Sequence, residues 1–173
     1  MLFPQRISLA EINTIDEDAF THKLAGLFEG PPWIITQALR SRPFTSREQL
    51  YQTLCTIMYQ APVEQQIALL RAHPDLVGRA ALNGTLSQAS TNEQATAELD
   101  HLTSAEIATF QRLNQIYHDQ FGFPFVICAR ENKKESILDG FVIRLQHTRQ
   151  QEIEIALGEV AKICALRLQD LVD

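Results

Sequence analysis

Hydroxyl residues that stand three positions ahead of a glutamate recur along this chain, as in SLAE at 8–11, TSRE at 45–48, STNE at 90–93 and TSAE at 103–106. In a capping box the hydroxyl accepts from the third helical amide and the glutamate reaches back to the cap's own amide, so each tetrapeptide predicts a helix start. Apolar residues then recur at the helical period. After Ser104 they are Ile107, Phe110, Leu113, Ile116 and Tyr117; in the last segment they are Ile153, Ala156, Leu157, Val160, Ile163, Cys164 and Leu168. Pro32 and Pro62 stand where a first helical turn accommodates proline, and Gly122 stands where a helix C-terminus favours glycine. These signals predict helices near 9–14, 17–29, 32–41, 46–60, 62–72, 88–101, 104–121, 133–147 and 150–171. Only FPFVICA, 123–129, reads otherwise, as extended backbone or a buried turn, and one such segment builds no sheet. The prediction is an all-α, single-domain bundle of about eight or nine helices over 1–173, with the aperiodic stretch 77–90 as its long loop.

A net charge of −6 leaves no basic excess to displace phosphate counterions, which argues against a nucleic-acid or anionic-membrane partner. It leaves room for a small anionic substrate held by one or two arginines. Cys55, Cys128 and Cys164 are odd in number and set in apolar context, as expected of buried thiols in a reducing compartment. The first residues lack the charged and apolar regions of a signal peptide, and no apolar run approaches the ~20 residues that span a bilayer. The expected location is cytoplasmic.

The stretch RAHPDLVGR, 71–79, interrupts a helical pattern with histidine, proline and aspartate in succession. Pro74 disfavours helical geometry at His73 and stops the helix there. The imidazole thus stands at a helix C-terminus, where the partial negative charge favours its protonated form. It can be an incidental helix-capping histidine, part of an interaction loop, or an acid/base working near neutral pH. An HPD tripeptide also resembles the loop of J-domain co-chaperones, but those domains carry a basic helix before it and a lysine-rich loop after it. The flanks here are VEQQIALLRA and LVGRAALNG.

Glu93 reads first as the third residue of the Ser90 capping box. That helix start is also an anion site, where free amides and the Gln94 carboxamide could meet a polar ligand. Arg71, Arg79, Arg130, Arg144, Arg149 and Arg167 are candidates for a carboxylate clamp, because a guanidinium binds a carboxylate through two parallel bonds. His22, His101, His118 and His147 show no metal spacing, and no phosphate loop or nucleophile elbow occurs. A chain with these residues and none of those motifs is expected to work without metal or other cofactor, by proton transfer on a small anion.

Taken in order, AHPDL (72–76), STNEQ (90–94), FQRLNQIYHDQFGFPFVICAR (110–130) and RLQHTRQQEIEIALGEVAKICALRL (144–168) make a series that resembles the 2-oxo-4-hydroxy-4-carboxy-5-ureidoimidazoline (OHCU) decarboxylases of urate degradation. The likeness covers about the last two thirds of the chain; LNxxYxxxFGFPF is its most distinctive part. It implies an all-helical fold, usually a homodimer, and decarboxylation of OHCU to (S)-allantoin without a cofactor. It implies His73 as the catalytic acid/base, Pro74 shaping the pocket, and Ser90, Thr91, Asn92, Glu93 and Gln94 lining the site with Glu93 near the reacting centre. It further implies polar backbone contacts from Phe125, Val126, Ile127, Cys128 and Ala129, and a substrate-holding arginine best matched by Arg167. One departure is His147, where RLxN is the usual family pattern; an effect on helix packing is expected from it. Asp75 is read as a support for the turn.

Overall fold

A computed structural model describes residues 6–173. Among them the chain is all-α: ten α-helices and three 3-10 turns, with extended pairing limited to an isolated bridge between Ile7 and Val172. The chain divides into two compact units, residues 1–66 with 161–173, and residues 67–160.

The first unit contains α1 (Leu9–Thr14), α2 (Glu17–Leu24), α3 (Trp33–Ala38) and α4 (Arg47–Gln60), with 3-10 turns at Ala25–Leu27 and Leu39–Ser41. Those turns occupy the ends of the predicted helices 17–29 and 32–41. Phe20, Leu24, Ile34, Ile35, Leu50, Leu54 and Met58 are buried in its core. Arg42 donates to the Ile15 carbonyl at 2.6 Å while its guanidinium lies 5.1 Å from the centre of the Phe20 ring. The α1 box forms as read, with Glu11 closing on the Ser8 amide. At α4 the cap moves by one residue. Ser46 accepts from the Gln49 amide, and Gln49 reaches back to the Thr45 amide at 2.6 Å. Gln49 thus bonds the amide one residue ahead of the cap, and the reciprocal bond of a capping box is not made here.

The second unit holds α6 (Arg79–Leu82), α7 (Gln88–Thr96), α8 (Ser104–Phe121), α9 (Lys134–Arg144) and a 3-10 turn at Ala129–Glu131. Helices α5 (Val63–Arg71) and α10 (Arg149–Leu171) each contribute to both units. The short α6 lies inside the stretch predicted as loop and accounts for the tenth helix. At α10, Thr148 and Gln151 form a further capping box that a search for glutamate alone overlooks. The buried stripe of α8 is Phe110, Asn114, Tyr117 and Phe121, whereas Ile116, predicted on the apolar face, is exposed. Gly122 ends α8 with φ +80, as glycine readily does. Arg149 and Arg71 then donate to the carbonyls of Phe121 and Gly122 at 2.9 and 2.8 Å.

Tyr117 is the hub of an aromatic cluster with Phe121, Phe123, Phe125 and Phe141, at 4.6 to 6.2 Å between ring centres. Among these rings sits Glu152, 0% exposed. Its Oε2 accepts from Arg144, with Nη2 at 2.8 Å, and from the Tyr117 hydroxyl; His147 Nδ1 lies 2.8 Å from Oε1. His147, between α9 and α10, thus contacts the α10 carboxylate. Burial is the largest influence raising the Tyr117 hydroxyl pKa above its ordinary value.

Two predictions follow from these pairs. Arg144→Met leaves Glu152 buried without its cation, and denaturant unfolding should show a loss of about 3–5 kcal/mol. Glu106, bonded to Lys134 and to the Thr103 cap, has its carboxyl lowered from 4.5 to about 2. A lowered folded-state value adds stability above pH 4.5 that is lost as pH falls towards 2. Urea midpoints measured between pH 5 and 2 should therefore fall more steeply for the native sequence than for Glu106→Gln.

Candidate active site

Helix α5 stops because Pro74 has no amide hydrogen and its ring pushes the residue before it out of helical geometry. The final turn tightens, with His73 N donating to the Leu70 carbonyl at 3.1 Å. This turn folds the His73 ring back on its own helix, with Nδ1 2.9 Å from the Leu69 carbonyl oxygen. A carbonyl only accepts, so the bond assigns a proton to Nδ1. The ring is 8% exposed, and the helix-terminal carbonyl that binds it belongs to the negative end of the α5 dipole.

Beyond Pro74 the backbone is held on several sides. Asp75 Oδ1 lies 2.9 Å from His118 Nε2, the turn-supporting role expected of Asp75. The Leu76 carbonyl accepts from Asn114 Nδ2 at 2.8 Å. Val77 N–H donates to Gln94 Oε1 at 3.1 Å, and Gln94 Nε2 faces the Asp75 carbonyl at 3.4 Å. Val77 has φ +52, a left-handed conformation that costs a β-branched residue about 1–3 kcal/mol. Its side chain is only 2% exposed, so burial helps to hold it there. A Cβ on Gly78 would stand 2.6 Å from the Asp75 Cβ, which makes glycine a requirement of the turn. Within 77–79, Val77 and Gly78 are buried and Arg79 is exposed.

The STNEQ segment departs from its predicted placement. The cap of α7 is Ser87, whose hydroxyl accepts from the Ser90 amide at 3.1 Å, so Ser90 is inside the helix and Glu93 is not a capping-box residue. SQAS offers two serines three residues apart, and the earlier one starts the helix. The Ser90 and Thr91 amides are taken by the Ser87 hydroxyl and carbonyl, so the anion site expected at STNEQ does not form there. The helical period sorts the five residues. Ser90 and Gln94 are buried and Glu93 is half-buried, while Thr91 and Asn92 face solvent and bond to Ser87 and Gln88.

Helix α7 packs against the 3-10 turn that follows the apolar run. Residues 124–128 belong to no helix or strand, and Phe125, Val126, Cys128 and Ala129 are buried, with Ile127 half-buried. Two of the expected polar backbone groups have partners of their own: the Val126 carbonyl accepts from Arg144 Nη1 at 2.6 Å, and the Cys128 amide donates to Glu159 at 2.8 Å. Burial, then the carboxylates of Glu131, Glu159 and Glu93, push the Cys128 thiol up to about 11. The thiol is therefore protonated at neutral pH, and the charge of Glu93 is felt at the strip.

Of the six candidate arginines, Arg71, Arg144 and Arg149 are engaged in the contacts above. Arg167, 9% exposed, belongs to the first unit, where it donates to the Gly26 carbonyl at 3.1 Å and to Glu29 Oε1 at 3.0 Å. Asn114, His118, Glu159 and Glu29 were not among the predicted site residues. Asn114 had a visible signal, a polar residue at a core position of the α8 stripe; the partners of the other three lie too far along the chain to be read.

The sequence profile of the OHCU decarboxylases matches residues 13–169. This chain belongs to that family. It is 38% identical over 164 residues to the 2-oxo-4-hydroxy-4-carboxy-5-ureidoimidazoline decarboxylase of Haloferax volcanii, covering 95% of each chain. It is 37% identical over 166 residues to the enzyme of the same name from Amia calva, covering 96% of this chain and 95% of that one. Among solved structures it is similar to an (S)-allantoin synthase with a TM-score of 0.75 and 26% identity, over 95% of this chain and 54% of that one. In this member of the family, Gly78→Ala should displace the turn after His73. Thermal unfolding should show a loss of about 1–3 kcal/mol, as for other overpacked buried sites.

Proposed function

We propose that this chain decarboxylates OHCU to (S)-allantoin in urate degradation, with His73 as the acid/base. The observation that carries this reading is the His73 ring itself: buried, fixed through Nδ1 to Leu69, with Nε2 as its exchanging nitrogen. The family's named members support the substrate. The substrate carries a hydroxyl and a carboxylate on one ring carbon, next to a ring C=N that bears the ureido group. When the carbon–carboxylate bond breaks, CO₂ leaves and the electron pair moves into that C=N, whose nitrogen takes up one proton. The hydroxyl proton then moves by way of His73 to the neighbouring carbon, the C=O of allantoin forms, and one proton is consumed overall. The ring serves as electron sink, so this sequence requires no metal or other cofactor.

Glu93 is assigned the polarisation of the neighbouring nitrogen or hydroxyl, and delivery of the proton to one face gives the (S) product. Pro74, Ser90, Gln94 and the 125–129 strip are assigned to shaping the binding site. Arg167 is assigned to the substrate's carboxylate on the strength of the family likeness and of its nearly complete burial. Thr91 and Asn92, which face solvent, are left to support α7. The chain is further proposed to act as one functional domain, as a homodimer, in the cytoplasm. The adjacent exposed residues Val142 and Ile143 on α9 support association of copies, and three free, buried cysteines support a reducing compartment.

The test generates OHCU in situ from urate with urate oxidase and hydroxyisourate hydrolase and follows (S)-allantoin by circular dichroism. The protein should accelerate its appearance over the spontaneous racemic reaction. Acid/base catalysis contributes about 10²–10⁴-fold, so His73→Asn should lose that much rate while keeping its helical far-ultraviolet spectrum. A folded His73→Asn protein with full activity would sink the assignment.

A further inference from the structure

We propose that Asn114 and His118, one turn apart on α8, are positioning residues that fix His73 for proton transfer. The inference rests on the acid/base role of His73 given above. Residues four apart on a helix share a face, and here both rungs grip the segment directly behind the catalytic histidine. Asn114 Nδ2 holds the Leu76 carbonyl at 2.8 Å, and His118 Nε2 lies 2.9 Å from Asp75 Oδ1. Both gripped residues lie within three positions of His73, on a backbone where Val77 sits at φ +52 and Gly78 approaches Asp75 too closely for any side chain. A strained turn keeps one conformation only when its surroundings over-determine it.

The Asn114 amide carries a second mark. It is buried, and its Oδ1 has no hydrogen-bond partner among the described residues. The bond to Leu76 fixes which end is nitrogen, so reversing the amide does not remove the orphan. Buried polar atoms without partners are uncommon in native proteins and call for an explanation. An asparagine held in an apolar stripe at that cost is explained by what its other end does, which is to fix the carbonyl three residues after His73. An apolar residue of similar size would remove the orphan acceptor and free the Leu76 carbonyl at once, so the exchange should leave stability nearly unchanged. Removing the clamp should instead be felt in the chemistry.

The experiment compares the native chain with Asn114→Leu, His118→Leu and His118→Gln, the last of which keeps an N–H donor for Asp75. Initial rates on in-situ OHCU are read as kcat and KM, beside melting curves and ¹⁵N spectra of the His73 ring. Misplacing a reacting group by about an ångström costs up to about a hundredfold. Both leucine variants should lose about tenfold or more in kcat with KM within about twofold and melting points close to native. His118→Gln should recover most of the loss at that position. The native His73 should show a single tautomer protonated at Nδ1, and the leucine variants a mixture. The proposal is overturned if folded variants keep kcat within twofold of native, if the loss is carried by KM, or if it only follows the unfolded fraction. Should Asn114→Leu fail to fold, the partly exposed His118 pair decides the matter alone. If the native chain fails to accelerate the reaction, the proposed function falls, and the tautomer spectra still test the clamp.

Discussion

A carboxylate with no exposed surface has to be neutralised where it lies, and in the second unit Glu152 sets that condition. Arg144 answers it, and in doing so fixes much else. With Nη1 on the Val126 carbonyl and its guanidinium 4.3 Å from the centre of the Phe125 ring, the same side chain satisfies a buried carbonyl that no helix or sheet pairs. Tyr117 and His147 complete the carboxylate's shell from α8 and from the start of α10. The ion pair is therefore less a source of net stability than a device of register, since well-packed apolar replacements often match such pairs in energy. It helps a short non-helical segment to be buried in an all-helical fold.

The turn that follows His73 uses the opposite economy. It has no ion buried at its centre, and neutral amides from α7 and α8 hold its backbone. Neutral donors and acceptors fix backbone geometry without adding a charge beside the buried His73 ring. The contact of His118 with the Asp75 carboxylate stands at the half-exposed edge of the turn.

The helices were legible in the sequence because caps and apolar period are local. The boxes at Ser8 and Thr103 form where they were read, and the histidine stop at Pro74 does too. Errors arose where the local signal was degenerate. Two serines competed to cap α7, Ser46 competed with Thr45 at α4, and a one-turn helix formed where no period can be seen in four residues. The arginines could be listed but not sorted. Their partners, such as Gly122 for Arg71 and Gly26 for Arg167, lie 51 and 141 residues away. The division of labour in STNEQ followed from the helical period once the true cap was known. The orphan acceptor of Asn114 is a property of packing, and only its place in the α8 stripe was written in the sequence.

The separation of those contacts bears on how the protein acquires its chemistry. Val77 meets Gln94 across 17 residues, Leu76 meets Asn114 across 38 and Asp75 meets His118 across 43. Long loops must close before such contacts return any energy, so they form late in folding. During synthesis His73 emerges well before the helix that grips its turn. The carboxylate and the carbonyl just beyond it find their partners only in the part of the chain made afterwards.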